Sequence, residues 1–370
     1  MVDQRIEKLA DLMVNYSLKI KPGEKVMVRA HTVAEPLIKE VNKKILLAGG
    51  HPFLWLEFPG IEGDLVRYGN DEQIGFIPEP VNTLYKTYDC LIRILADDNT
   101  RALANVDADK MTKYVKAKDP ITKTFMDRSS RGDLRWTVTA FPTNALAQDA
   151  DMSLEEYEDF VYGACMPDQN DPIRYWTRFS EKQTRLITWL NGKKKVHVIS
   201  KDTDLHLNIE GRIFINCAGK INLPDGEIFT GPVEDSVEGY VSFSYPTIYN
   251  TREVDGVQLE FKGGKVVKAS ATKNEEYLLK TLDTDEGSRY VGEFAIGTNE
   301  GIQKFTREIL FDEKIGGTFH IALGNGFPET GSKAKSAIHW DMICDLREGQ
   351  IWVDDVLFYE NGKFMVQEYR

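Results

Sequence analysis

The chain has 370 residues, 42% of them hydrophobic and 28% charged, with a net charge of −12 at pH 7. That is the composition of a globular protein too long for one ordinary core, so two domains are expected. The acidic balance argues against a nucleic-acid or anionic-membrane partner, which needs clustered Lys and Arg.

Ile6, Leu9, Ala10 and Met13 are spaced as the inner face of an amphipathic helix, which KPGEK ends. Its flank, MVDQRIEKLADLMV, lacks the continuous apolar core of a signal peptide, and no apolar run reaches a membrane span. With four scattered cysteines and no CxxC pair, the expected location is cytoplasmic. A strand at Val26-Met27-Val28 follows, then a helix capped by Thr32 with Leu37, Ile38, Val41 and Ile45 inward, ended by Gly49-Gly50. PFLWLEF reads as a buried strand and completes a βαβ unit, which implies a parallel sheet. CLIRILA (Cys90 to Ala96) and WTVTAFP (Trp136 to Pro142) repeat the pattern, with no glycine fingerprint for a dinucleotide or a P-loop.

Ser153 and Glu156 form a capping box for a helix to about Cys165, and Asp171-Pro172 starts another that stops at Asn191-Gly192. Beyond it the texture changes to short alternating strands: KVHVIS, DLHLNI, VQLEF, KVVKASA and WVDDVLFY. Gly263-Gly264 and Asn361-Gly362 are hairpin turns between such strands. The fold expected is α/β and α+β: an N-terminal open parallel α/β sheet domain (1–190), then a β-rich C-terminal metal-binding domain (191–370).

The chemistry concentrates late in the chain. LFDEKIGGTFHIALGNGFPETGSKAKSAIHWDMICDL holds His320, His339 and Asp341, with Glu313 upstream. Imidazole nitrogen and carboxylate oxygen are divalent-metal ligands, and strand alternation puts His339 and Asp341 on one face. Read without the rest of the chain, the same residues also suit a core histidine and a solvated Asp-Glu turn. Glu227, after a Pro-Asp-Gly turn, and Glu293, inside the otherwise uncharged YVGEFAIGTN, are carboxylates in apolar strands. Such groups are costly unless paired or bound to metal; a surface acid and a salt bridge are the alternatives. His31, His51, His197 and His206 read as structural or surface residues.

SLKIKPGEKVMVRA, FPTNALAQDADMSLEEYEDFV, NLPDGEIFTGPVEDSVEG, FDEK, HIALG, PETG and SAIHWDM together resemble the thermophilic-type metalloaminopeptidases, the aminopeptidase T and aminopeptidase S family, over nearly the whole chain. The resemblance implies two divalent metal ions per chain (zinc, cobalt, manganese or magnesium), held by Glu227, Glu293, Glu313, His320, His339 and Asp341. It also implies a homodimer and hydrolysis of the N-terminal residue from short peptides with a free N-terminus by a two-metal-activated water. Glu293 or Glu313 is left to bridge the ions or act as general base, with Glu293 preferred as base because of its apolar strand. Glu234, Asp235 and Glu238 either read the substrate's α-amine or form a solvated loop. One position departs from the pattern: relatives commonly carry a tyrosine seven residues after the first ligand histidine, and this chain has Phe327. That leaves two alternatives, another two-metal hydrolase or a family member with little or no peptidase activity.

Overall fold

A computed structural model describes residues 3–166, 170–250 and 252–367. The chain forms two compact units, Met1–Ile173 with Gly219–Leu223, and Arg174–Ala218 with Pro224–Arg370. The fold is mixed α/β, with a parallel sheet in the first unit and antiparallel sheets in the second.

In the first unit the helix Gln4–Asp11, capped by Asp3, buries Ile6, Leu9 and Ala10 and runs on into wider π-helical turns over Leu12–Ser17. The sheet order is His51–Glu57, Lys25–His31, Cys90–Leu95, Arg135–Ala140 and Asn222–Leu223, all parallel. The helix Glu35–Leu47 buries Leu37, Ile38, Val41 and Ile45 as its spacing predicts, and Gly49, at φ +81°, turns the chain out of it. Thr32 does not cap it. Thr32–Ala34 form a single 3-10 turn first, and Ala34 stands at the cap position.

PFLWLEF also departs from expectation. It is the sheet's edge strand, paired on one side only among the described residues, and Phe53, Leu54 and Leu56 stay exposed although the segment is as apolar as a central strand. The Ser153–Glu156 capping box is formed as read, at the start of the helix Leu154–Cys165.

The second unit begins in the helix Pro172–Leu190. Its larger sheet has eight antiparallel strands. Gly263-Gly264 and Asn361-Gly362 make its hairpin turns with positive φ at all four residues, as their sequences require. WVDDVLFY is two strands, because Asp354 and Asp355 both take positive φ and fold Val356–Glu360 back on Gln350–Val353. The smaller sheet runs His339–Asp345, Thr318–Gly324, Val291–Gly297, Glu227–Thr230, Ile215–Cys217, antiparallel throughout. Both sheets feed one core, with Val198, Leu205, Val241 and Phe261 from the larger and Ile228, Phe294, Phe319, Ile321, Trp340 and Met342 from the smaller. Helix Glu275–Leu282 adds Leu278 and Leu282. No helix among the described residues is long and apolar enough to cross a membrane.

Candidate metal centre

The smaller sheet has two chemically opposite faces. Ile228, Phe294, Ile296, Phe319, Ile321, Leu323, Trp340, Met342 and Cys344 alternate into the core. The residues between them, Glu227, Glu293, His320, His339 and Asp341, therefore share the other face. Cross-strand register tightens the group. Glu293 lies opposite Ala322 and Ala322 opposite Asp341, while His320 lies opposite Ala295 and Glu227 opposite Gly297. Alanine and glycine between the polar residues leave that face room for something other than side chains.

Glu293 reaches this face through a β-bulge at Gly292. Val291 pairs with Leu323 on the core side, yet Glu293, two residues on, pairs with Ala322 on the site side. In a regular strand the two would share a face, so the extra residue inverts the parity. Gly292 is required there because a Cβ would lie 2.4 Å from the Asn325 carbonyl oxygen.

The six residues named from sequence converge. His320 Nε2 is 3.4 Å from Glu227 Oε2 and 3.4 Å from Glu293 Oε1. His339 Nε2 is 3.5 Å from Glu293 Oε2 and 3.6 Å from Asp341 Oδ1. Glu293 thus turns one oxygen to each histidine. Ligand atoms of Glu227, Glu293 and His320 lie within 4.8 Å of one another, as do those of Glu293, His339 and Asp341, and of Glu313, His320 and Asp341. His339 donates its Nδ1–H to the Asn325 carbonyl at 2.8 Å, which leaves the Nε2 lone pair free to accept.

The electrostatics are those of a site built for cations. Burial pulls the His320 imidazolium down, but Glu293, Glu227 and Asp341 outweigh it and push its pKa up to about 9. Burial raises Asp341 to about 6, against the pull of His339. Burial also holds Glu227 above the usual carboxylate range despite Lys314, whereas at Glu313 the attraction of Lys314 and His320 overcomes burial and keeps the carboxyl low. Glu227 Oε2, Asp341 Oδ1 and both ring nitrogens of His320 are buried without a hydrogen-bond partner among the described residues. Orphaned acceptors and imidazole nitrogens so close together are expensive unless a cation fills the space between them, and hard carboxylates with imidazole suit a divalent ion.

Sequence reasoning missed Lys314. Its side chain is 1% exposed, and Nζ donates to Glu227 Oε1 at 2.5 Å and Glu313 Oε1 at 2.6 Å. Placed between a named acid and the apolar IGGTF, it was legible only as part of a turn. Asp312 is buried too, but serves the loop, accepting from the Thr306 N–H and hydroxyl. Two of the three acids considered for the substrate's amine have other partners, Glu234 with Arg212 and the Lys333 N–H, Glu238 with the Gly263 N–H. Phe327 stands at the site, its ring 5.2 Å from that of His339 and 5.2 Å from Phe229. Away from it, His197 and His206 stack at 3.8 Å, and both approach Asp204.

A sequence profile of the thermophilic metalloprotease family (M29) matches residues 2–364. The chain belongs to that family. Membership implies hydrolase chemistry with a divalent metal. Among relatives of this M29 chain, aminopeptidase T of Thermus thermophilus is 27% identical over 359 residues, covering 88% of this chain and 86% of that protein. Aminopeptidase 2 of Geobacillus stearothermophilus is 26% identical, covering 88% and 84%. Among solved structures, wild-type AmpT from Thermus thermophilus superposes with a TM-score of 0.87 at 22% identity, over 98% of this chain and 99% of that one. A 2,5-dihydroxypyridine dioxygenase from Pseudomonas putida superposes at 0.61 and 15% identity, over 99% and 98%. At these identities the superpositions speak for the fold, and the second shows that the fold also carries quite different chemistry.

Proposed function

We propose that this protein is a two-metal aminopeptidase that removes the N-terminal residue from short peptides with a free N-terminus. The observation that carries the reading is Glu293, with one oxygen toward His320 and the other toward His339, as a carboxylate shared by two ions would be placed. Glu227, Glu293 and His320 would hold one ion and Glu293, His339 and Asp341 the other, with zinc, cobalt, manganese or magnesium all compatible with such donors. Divalent ions bound there supply Lewis acidity toward a peptide carbonyl and acidify water.

The chain's own residues divide the remaining work. Because Glu293 commits both oxygens, we assign proton transfer to Glu313, which lies near His320 and Asp341 and is held low by Lys314, rather than to Glu293. The hydrogen bond to Asn325 keeps His339 in one tautomer. Phe327 presents an apolar edge beside His339 and donates nothing to a developing oxyanion. That feature favours a second reading, in which the protein keeps the centre but turns peptides over slowly. Scattered free cysteines and an exposed edge strand support a cytoplasmic homodimer as part of the proposal.

The test is release of free amino acid from an unblocked dipeptide against its N-acetylated twin, using metal-stripped protein reloaded with cobalt, zinc or manganese. Metal-dependent cleavage of the unblocked peptide alone is expected, and alanine at His339 or Asp341 should remove at least one ion per chain. Preference for a phosphate ester, or no cleavage by fully loaded protein, would displace the reading.

A further inference from the structure

Lys314 has no place in the ligand set, yet it is the most deeply committed charge in the centre. Its ammonium is buried against Glu227 and Glu313, with Asp225 Oδ1 at 4.0 Å. Its backbone is fixed as well. The Lys314 N–H donates to the Phe311 carbonyl at 3.0 Å, and its carbonyl accepts from the Asn299 N–H at 3.1 Å. Asn299 in turn donates its side-chain amide to the Asp225 carbonyl at 2.7 Å. A buried ammonium is costly unless opposing charge and hydrogen bonds surround it, and here the same carboxylates are also cation ligands.

One consequence follows. Lys314 occupies Glu227 Oε1 and leaves Oε2 as the orphaned oxygen facing His320, so Glu227 has a single oxygen to give.

We propose that Lys314 is a fixed internal cation of the metal centre, a positioning residue that holds one carboxylate oxygen of Glu227 and limits it to a single ligand oxygen. The inference rests on the two-metal reading above, and its test separates the two. Metal content and affinity of the full chain are measured by equilibrium dialysis with cobalt, alongside the visible spectrum of the bound ion, for wild type, Lys314→Met and Lys314→Arg. Wild type that binds fewer than two ions defeats the two-metal reading itself.

With two ions in wild type, Lys314→Met should bind the first ion ~10-fold or more tightly, because a positive charge close to it is gone. Its cobalt bands should weaken as Glu227 becomes free to donate both oxygens and the coordination number rises. Lys314→Arg keeps the charge and should keep two ions with affinity within about threefold of wild type. Unchanged affinity and spectrum in Lys314→Met, or weaker ion binding, would overturn the proposal. If Lys314→Met does not fold, Lys314→Gln decides: tighter binding of the first ion with weakened cobalt bands supports the proposal, and wild-type affinity and spectrum overturn it.

Discussion

Phe327 is the residue whose chemistry is easiest to put to a measurement. Its ring packs against His339 and Phe229, so a phenol there would stand beside the proposed metal centre. One donor of that kind is worth ~10²–10³ in rate when it stabilises an oxyanion. Phe327→Tyr is therefore expected to raise kcat on an unblocked dipeptide at least ~10-fold while leaving metal affinity unchanged. Steady-state kinetics and metal titration on the same preparation check both halves. The six proposed ligands could be named because imidazoles and carboxylates late in the chain suit a metal and the resemblance to the metalloaminopeptidases singles out those positions. Lys314 could not, since nothing in FDEK distinguishes a buried ammonium from a solvated one.

At the scale of the element, the bulge at Gly292 decides whether a centre exists. A Cβ there would clash with the Asn325 carbonyl, and relief by restoring regular pairing would turn Glu293 toward the core. Gly292→Ala should destabilise the protein by about 2 kcal/mol or more, in the range of overpacked sites, and lower its metal content. Urea unfolding and metal analysis read the two effects. Simple alternation through VGEFAIG puts Val291 and Glu293 on one face, so the sequence revealed that the acid lay in an apolar strand but not which way it pointed.

A second local device precedes the edge strand of the same sheet. Asp285 accepts from the Ala337 N–H, the Ser336 and Ser288 hydroxyls and the Gly287 N–H, which together hold its pKa down to about 2. A depressed carboxylate contributes stability above its ordinary value near 3.8 and loses it as pH falls toward about 2. Asp285 is exposed, and solvent screening limits that contribution to about 1 kcal/mol. Asp285→Asn should be less stable than wild type at pH 6 and equal to it near pH 2, as followed by thermal denaturation across that range.

For the whole molecule, the feature with consequences in solution is the strand His51–Glu57. Among the described residues it has a strand partner on one side only, and it exposes Phe53, Leu54 and Leu56, the arrangement that invites pairing with another chain. If copies associate through it, as we propose for the homodimer, Leu54→Lys should shift sedimentation toward the monomer without altering metal content. An unchanged sedimentation coefficient would place the contact elsewhere. The change of texture from βαβ units to short alternating strands was visible in the sequence, because period and turn residues are local signals. The return of Asn222–Leu223 to the first sheet was not, since two residues carry no periodicity and their partner, Val138–Thr139, is more than eighty positions away.

The order of the proposed ligands along the chain has a further consequence, one of timing. Glu227, Glu293 and His320 come from inner strands of the sheet, but His339 and Asp341 lie on its outer strand and are the last of the set to be synthesised. A growing polypeptide that has passed Gly324 has only part of the cage, and its acids face one another without their final histidine. On the assignment proposed above, the donors of one ion are present by then, whereas the other would have to wait until His339–Asp345 closes the sheet.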